Sequence, residues 1–180
     1  MLFRVFMFLV LGLFAASLWA DQDVEVTVLD PLQEYLRQYE GRWVGHYRIQ
    51  STASDYAQAF QVEQQYWMKG GELRGVSVSQ RPDGTESARS RTYIKGGKFY
   101  TEVIREAGEE HFVGQLHEGW LVWLPADLKR ANDYQIKERF LRQEGQLILR
   151  TEGFDSYVYA GGLAHIVFEG ELELKSTQAP

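Results

Sequence analysis

The sequence contains no cysteine. The chain therefore has no disulfide to hold its fold, no thiol nucleophile, and no cysteine to carry the lipid of a bacterial lipoprotein. A domain outside the cytoplasm that lacks disulfides must be stabilised by its own apolar core. A chain of 180 residues is long enough to build one such core after losing a short leader.

The common catalytic signatures are also missing. The sequence has no H-E-x-x-H, no G-x-S-x-G and no phosphate-binding loop. The four histidines are His46, His111, His117 and His165, and none is paired at a spacing of two or four residues. We therefore expect no catalytic residue, no metal site and no cofactor, and we predict that the protein is not an enzyme. One alternative is that His165 binds haem. An outward-facing, solvated side chain is favoured for this residue.

Excess positive charge is absent as well. The formal net charge is −6, whereas a protein that binds nucleic acid generally presents a basic face. A local basic cluster consists of Arg89, Arg91, Lys95 and Lys98. A solvated hairpin surface is favoured over an anion site, because charged runs are common on exposed faces. We predict no nucleic-acid partner.

The one long apolar run is MLFRVFMFLVLGLFAASLWA at the start. Arg4 precedes an apolar stretch from Val5 to Leu13, and small residues follow up to Ala20. This layout is typical of a secretory signal peptide. We predict residues 1–20 as the signal peptide, with cleavage after Ser17 as the second choice, and 21–180 as a single domain. An uncleaved anchor is the alternative. The expected location is periplasmic or secreted, with no membrane anchor after cleavage.

A short helix is predicted just before the first strand. In DPLQEYLRQYEG, Asp30 is placed to cap the first amides and Pro31 suits the first helical position. One face of this helix is apolar, and Gly41 is expected to end the helix. The apolar positions are Leu32, Tyr35, Leu36 and Tyr39.

The remaining chain has the pattern of β-structure. Three Gly-Gly pairs and several other glycine turns separate runs rich in aromatic and β-branched residues. Successive strands joined by tight turns predict an all-β, up-and-down antiparallel barrel, because closure removes the exposed edges of such a meander. About ten strands are predicted, at 42–50, 58–69, 72–80, 87–95, 98–106, 110–117, 119–124, 133–142, 146–152 and 163–174.

Strand alternation assigns one face of each strand to the interior. Trp43 and Tyr47 are predicted to point inward on the first strand. Several polar residues share the predicted inward faces, and unpaired buried polar groups would cost roughly 1–3 kcal/mol each. Three explanations stay open: the groups pair with one another, they line a wet cavity, or the register is wrong by one. The polar positions include Gln64, Ser77, Ser79, Thr101, Arg105 and Glu138.

The first strand opens with a glycine–tryptophan motif: Gly41, Trp43 and Gly45 form a G-x-W-x-G start after a short helix. This opening resembles that of lipocalin-like (calycin) β-barrels and is similar to that of bacterial calycin-like domains of unknown function. The resemblance implies that Trp43 closes the base of a barrel that holds a small, often apolar ligand. The candidate ligand-binding residues are Trp43, Tyr47, Gln64, Tyr66, Ser77, Arg105 and Glu138.

Two functions follow as hypotheses. The first is a barrel that binds a small, largely apolar ligand, for which we expect a cavity of roughly 300 Å³ or more. The alternative is a non-enzymatic envelope module with a filled core that binds a protein partner. Its surface would include Trp67, Val76, Val78 and whichever of Trp120 and Trp123 points outward. Within the barrel, Glu138, Arg105 and Tyr66 could form an acid–base group, although an internal ion pair is favoured. The oligomeric state does not follow from the sequence.

Overall fold

A computed structural model of the protein describes residues 30–177. The predicted signal peptide and its cleavage site lie outside the described residues. Within the described part of the chain, no helix is long and apolar enough to cross a membrane.

The only helix among residues 30–177 is short and lies directly before the first strand. Helix α1 spans Pro31–Arg37, and the side chain of Asp30 accepts a hydrogen bond from the amide of Leu32 at 2.9 Å, as the capping pattern predicts. Leu36 is fully buried and Tyr39 nearly so. The apolar face of α1 therefore covers one end of the molecule.

Ten antiparallel strands follow and close into one barrel, confirming the predicted fold class. Each strand pairs with its neighbours in sequence, and the first pairs with the last, so no strand edge of the barrel is left open. The strands are β1 Gly41–Ser51, β2 Ala57–Lys69, β3 Glu72–Arg81, β4 Gly84–Lys95, β5 Lys98–Arg105, β6 Gly108–His117, β7 Trp120–Pro125, β8 Tyr134–Gln143, β9 Gln146–Tyr159 and β10 Gly162–Ser176.

The two ends of the barrel differ. The helix end carries α1 and the tight turns at 70–71, 96–97, 118–119 and 144–145. Gly70 and Gly71 have φ angles of 62° and 82°, which two-residue hairpin turns of this kind require. The open end carries the connections 52–56, 82–83, 106–107, 126–133 and 160–161.

Several boundaries differ from the sequence prediction, and two of them involve a glycine. Helix α1 ends at Arg37, and Gly41 begins β1 instead of ending the helix. Gly41 has a φ of 125°, and a Cβ there would lie 2.2 Å from the carbonyl oxygen of Ser176. Strand β9 continues to Tyr159, because Gly153 stays in the strand under the ring of Phe168. The β9–β10 hairpin is therefore longer than predicted.

The densest packing lies inside the barrel near its helix end. Trp43, Leu121 and Leu172 are fully buried there, together with Leu36 of α1. The ring of Phe140 lies 4.7 Å from that of Tyr39 and 5.8 Å from that of Trp43, measured between centroids. These contacts fasten the segment that leads into β1 across the barrel base.

Candidate functional site

A cavity remains inside the barrel above this packed base. It has a volume of about 120 Å³. Its wall combines apolar and aromatic side chains with a few polar groups, which is the usual make-up of a ligand site. The lining residues are Leu36, Tyr39, Tyr66, Leu73, Ser90, Thr92, Thr101, Val103, Arg105, Phe112, Trp123, Tyr134, Ile136 and Glu138.

This volume is smaller than the expected 300 Å³. Bulky inward side chains, among them Phe112, Trp123 and Tyr134, occupy much of the interior, and Tyr39 enters it from the helix end. The ring of Trp123 lies directly over Gly114, where a Cβ would be 2.5 Å from the ring. The cavity can hold only a small molecule or one end of a larger one.

The carboxyl group of Glu138 is the most unusual feature of the cavity wall. Its Oε2 accepts two hydrogen bonds, one from the hydroxyl of Tyr39 at 2.9 Å and one from the indole N–H of Trp123 at 2.9 Å. The side chain is on the inward face of the barrel, is only partly exposed, and lines the cavity. Strand β8 presents Glu138 opposite Leu121 of β7 and Thr151 of β9.

Burial governs the titration of this group. It raises the pKa of Glu138 above the ordinary value, and the hydrogen bonds from Trp123 and Tyr39 oppose that change. Burial also raises the pKa of the neighbouring tyrosines, and the nearby carboxylate adds to the effect; these are Tyr35, Tyr39, Tyr47 and Tyr66. The carboxyl therefore keeps its proton to a higher pH than an ordinary glutamate does.

Trp43 supports the site from below, as the G-x-W resemblance implies. It is fully buried, and its indole N–H donates to the carbonyl oxygen of Tyr39 at 2.7 Å. This bond fixes the backbone of the residue whose hydroxyl reaches Glu138. Trp43 is therefore part of the floor that supports the cavity wall.

The structure brings together only some of the predicted site residues. Tyr66, Arg105 and Glu138 line the cavity, whereas Trp43, Tyr47, Gln64 and Ser77 do not. The Tyr47 hydroxyl bonds Thr151 at 2.9 Å, and Gln64 lies between Trp43 and Ser77 on neighbouring strands. All seven lie on the inward register, so the predicted faces are correct.

The favoured internal ion pair between Glu138 and Arg105 is not formed. Arg105 instead contacts Glu86 at 3.5 Å and forms a hydrogen bond with Glu110. Tyr66 donates to Gln64 at 3.3 Å rather than to Glu138. The inward polar groups thus both pair with one another and line a cavity, which resolves the alternatives left open by the sequence.

Arg105 belongs to a chain of alternating charges across the open end. We call this set the mouth ion chain: Arg81, Glu86, Arg105, Glu110, Arg130 and Asp155. Neighbouring members are ion pairs, with separations such as 3.0 Å for Arg81 to Glu86 and 3.1 Å for Arg130 to Asp155. Arg105 also lines the cavity, so the mouth ion chain borders the cavity on the side of the open end.

Sequence reasoning missed Tyr39 and Trp123 as site residues. The sequence indicates only that Tyr39 lies on the apolar face of the helix, and it does not decide which of Trp120 and Trp123 points inward. Counting alternation from the 118–119 turn would have assigned Leu121 and Trp123 to the interior. The structure buries Trp123 and places Trp120 outside, where Arg139 lies 4.2 Å from its ring centroid.

Exposed apolar side chains concentrate at the open end. Leu128 is 87% exposed, Val158 83% and Leu163 64%. Val158 and Leu163 face each other across the β9–β10 hairpin, and Tyr159 at its tip is also exposed. The sequence predicted such a patch elsewhere, at Trp67, Val76 and Val78, but these three are only partly exposed on the outer wall.

A second, larger hollow lies on the outside of the barrel. It has a volume of about 430 Å³ and lies over β1, β10 and β9. Its wall is mainly polar, with Arg48, Arg150, Glu169 and Glu171 among its residues. Arg150 contacts Glu171 at 3.9 Å there. This hollow is an outer surface and does not add to the interior cavity.

Comparison with known proteins places the fold. No protein-family profile matches the chain, and no curated protein matches it. Among solved structures, the chain is similar to the S-type phycobiliprotein lyase from Guillardia theta, with a TM-score of 0.51 and 8% sequence identity. The similarity covers 81% of this chain and 93% of that one.

This comparison corrects one expectation. The prediction that the protein is not an enzyme relied on missing motifs, and it is contradicted because a similar barrel occurs in a protein described as a lyase. Missing motifs are therefore no ground for excluding catalysis in a barrel of this kind, although similarity at this identity shows the fold alone. The closed ten-stranded barrel and this similarity together confirm that the chain has a calycin-like fold.

Proposed function

We propose that the protein binds a small, largely apolar molecule in the interior cavity, and that it does so in the periplasm. The single observation that carries the proposal is the make-up of the cavity: apolar and aromatic walls around one carboxyl group that is held in place from one side. A barrel whose interior served only packing would have no need of a fixed carboxyl beside an open volume.

Two further observations support this proposal. The likeness to a lyase with a barrel of the same kind is consistent with a ligand inside the barrel. The leader-like sequence of residues 1–20 supports the periplasmic location, although these residues lie outside the described part of the chain.

Native mass spectrometry of the protein, purified gently from the cells that produce it, tests the proposal. We expect a discrete added mass that is lost on denaturation. Val103→Phe fills the cavity, since Val103 lines it, and should remove that mass. Val113→Phe, on the next strand and on the outer register, is the matched control and should keep it. An added mass retained in the Val103→Phe variant would contradict binding inside the barrel.

A second candidate function is favoured by the exposed side chains at the open end. The stretch from Tyr157 to Ala164 forms the hairpin tip and contains no charged residue. Such a surface is typical of a contact with another macromolecule in the envelope. Val158→Ser combined with Leu163→Ser removes the apolar pair without touching the cavity. Loss of a copurifying protein from this variant would support the second candidate.

A further inference from the structure

The two oxygens of the Glu138 carboxyl have different surroundings. Both hydrogen bonds that this group accepts go to Oε2, from Tyr39 and Trp123. Within residues 30–177 no hydrogen bond reaches Oε1. Because Glu138 lines the cavity, Oε1 is the atom left for a ligand to meet.

Within the described part of the chain, no cation is paired with this carboxyl. Arg105 also lines the cavity, but its guanidinium is paired with Glu86 and Glu110 at the mouth. The other titratable groups that face Glu138 or share its cavity are tyrosines, whose burial raises their pKa and keeps them uncharged. These are Tyr35 and Tyr39 from the helix segment, Tyr47 from β1, Tyr66 from β2 and Tyr134 from β8.

The pattern of donors fixes where the proton of the neutral acid lies. An oxygen that already accepts hydrogen bonds from a hydroxyl and an indole N–H cannot also carry a proton without bringing that proton close to one of the two donors. A carboxylic acid has one O–H and one carbonyl oxygen, and the carbonyl oxygen is the better acceptor. Oε2 is therefore the carbonyl-like oxygen, and the proton lies on Oε1, towards the cavity.

We propose that Glu138 presents an O–H donor to the cavity, and that the ligand is a small uncharged molecule with a hydrogen-bond acceptor, such as a ketone, an ester or an unprotonated imine. This inference rests on the proposed function, because it names the chemical class of ligand for the same cavity. It excludes protonated amines as the preferred class, since an uncharged O–H does not neutralise a cation.

The cavity sets the size of the probe. Its volume of about 120 Å³ is a little below that of an engineered apolar cavity of about 150 Å³ that holds benzene. A five-membered ring is therefore the suitable scale. Three rings of similar size differ only in their polar group: cyclopentane has none, cyclopentanone carries an acceptor, and cyclopentylamine is a cation at neutral pH.

The experiment measures the affinity of each probe by ligand-observed NMR for the wild type and two variants. In Glu138→Gln, the amide oxygen can accept from Tyr39 and Trp123 while the NH₂ group donates to the cavity, so the hydrogen-bond pattern of the neutral acid is kept. The leucine of Glu138→Leu can neither accept hydrogen bonds from Tyr39 and Trp123 nor donate one to the cavity. Glu138→Gln keeps the test decisive if Glu138→Leu fails to fold.

The expected result is a loss of cyclopentanone affinity of about 3- to 10-fold in Glu138→Leu, the value of one hydrogen bond. Cyclopentanone affinity in Glu138→Gln should stay within about 3-fold of the wild type, and cyclopentane affinity should not fall in either variant. In the wild type the same ranking should hold at any pH below the pKa of Glu138, which burial raises above its ordinary value.

Several outcomes would overturn the inference. If cyclopentylamine binds the wild type best and this preference disappears in Glu138→Gln, the site holds a carboxylate that recognises a cation. If cyclopentanone loses no affinity in Glu138→Leu, Glu138 is not its donor, yet cyclopentane binding would leave the proposed function standing. If none of the three rings binds, the proposed function falls, and the inference falls with it.

Discussion

The hydroxyl of Tyr39 donates a hydrogen bond of 2.9 Å to Oε2 of Glu138, across 99 positions of sequence. It joins the segment between α1 and β1 to the eighth strand of the barrel. The indole of Trp123 donates to the same oxygen at the same distance. Both of these donors reach the same oxygen, and Glu138 lines the cavity.

Removing the Tyr39 hydroxyl should destabilise the protein. Tyr39→Phe keeps the ring that packs 4.7 Å from Phe140 and removes one donor to Glu138. We expect a loss of about 1 kcal/mol in the free energy of unfolding, measured by urea denaturation. Because one hydrogen bond to the ionised form is lost, the pKa of Glu138 should rise further.

Tyr35→Phe is the matched control for that experiment. The Tyr35 hydroxyl is buried and has no hydrogen-bond partner of normal geometry among residues 30–177. Tyr39 lies near enough to offset part of the rise that burial causes in the pKa of Tyr35. Its removal should leave stability unchanged or raise it, since an unpaired buried hydroxyl is unfavourable. Equal losses in both variants would contradict the assigned hydrogen bond.

Replacing Trp43 should lower the free energy of unfolding much more than replacing Trp67, which lies on the outer face of the sheet. Trp43→Phe leaves a void in a fully buried position and removes the donor to the Tyr39 carbonyl. We expect a loss of about 2–3 kcal/mol in urea denaturation. Trp67→Phe, on the outer register of β2, should change stability by no more than about 0.5 kcal/mol. Similar losses at both positions would contradict a special role for the barrel floor.

The stability of the protein should carry a pH signature of Glu138. Burial raises the pKa of Glu138, so the folded protein keeps this proton over a pH range in which the unfolded chain has released it. Between the ordinary glutamate pKa of about 4.3 and the folded value, the wild type should lose stability as the pH rises, and above the folded pKa the effect should be level.

Glu138→Gln has no such proton to lose. Its stability relative to the wild type should therefore increase with pH through the same window, by about 1.4 kcal/mol for each unit by which the pKa is raised. Urea denaturation at a series of pH values from about 4 to 8 measures this difference. Glu106→Gln, in the exposed turn at 106–107, controls for removal of a negative charge. A difference that does not change with pH would contradict the assignment.

The mouth ion chain should control access to the cavity. Glu110→Gln removes the carboxylate between Arg105 and Arg130 and should speed the exchange of cyclopentanone, measured from NMR line widths. The stability change should stay below about 1 kcal/mol, because these groups are partly exposed. Glu72→Gln interrupts a comparable pair with Arg91 on the outer wall and should leave exchange unaltered. Equal effects of the two variants would contradict a gate.

Most of the fold could be predicted from the sequence because its signals are local. Paired glycines such as Gly70 and Gly71 require positive φ, and the alternation of Trp43, Gly45 and Tyr47 assigns the inward face. The G-x-W opening pointed to the barrel type. The extension of β9 does not follow from the sequence, because a glycine such as Gly153 indicates the end of a strand. In the structure the ring of Phe168 fills the space above Gly153, and the strand continues.

The site was harder to predict because its bonds join distant segments. Glu138 could be placed inside by parity, but its partners lie on β7 and beside α1. Arg105 was also placed inside correctly, yet it pairs towards the mouth with Glu86 and Glu110. Alternation fixes the face of a residue but not its height along the barrel, and height decides which side chains meet.

The most direct test of this account follows the ¹³C chemical shift of the Glu138 carboxyl with pH. The signal is assigned by its loss in Glu138→Gln. We predict that the carboxyl stays protonated after the solvent-exposed glutamates have ionised, and that its chemical shift responds when cyclopentanone is added. A titration midpoint near the ordinary value of about 4.3, with no response to cyclopentanone, would contradict a neutral acid that faces the cavity.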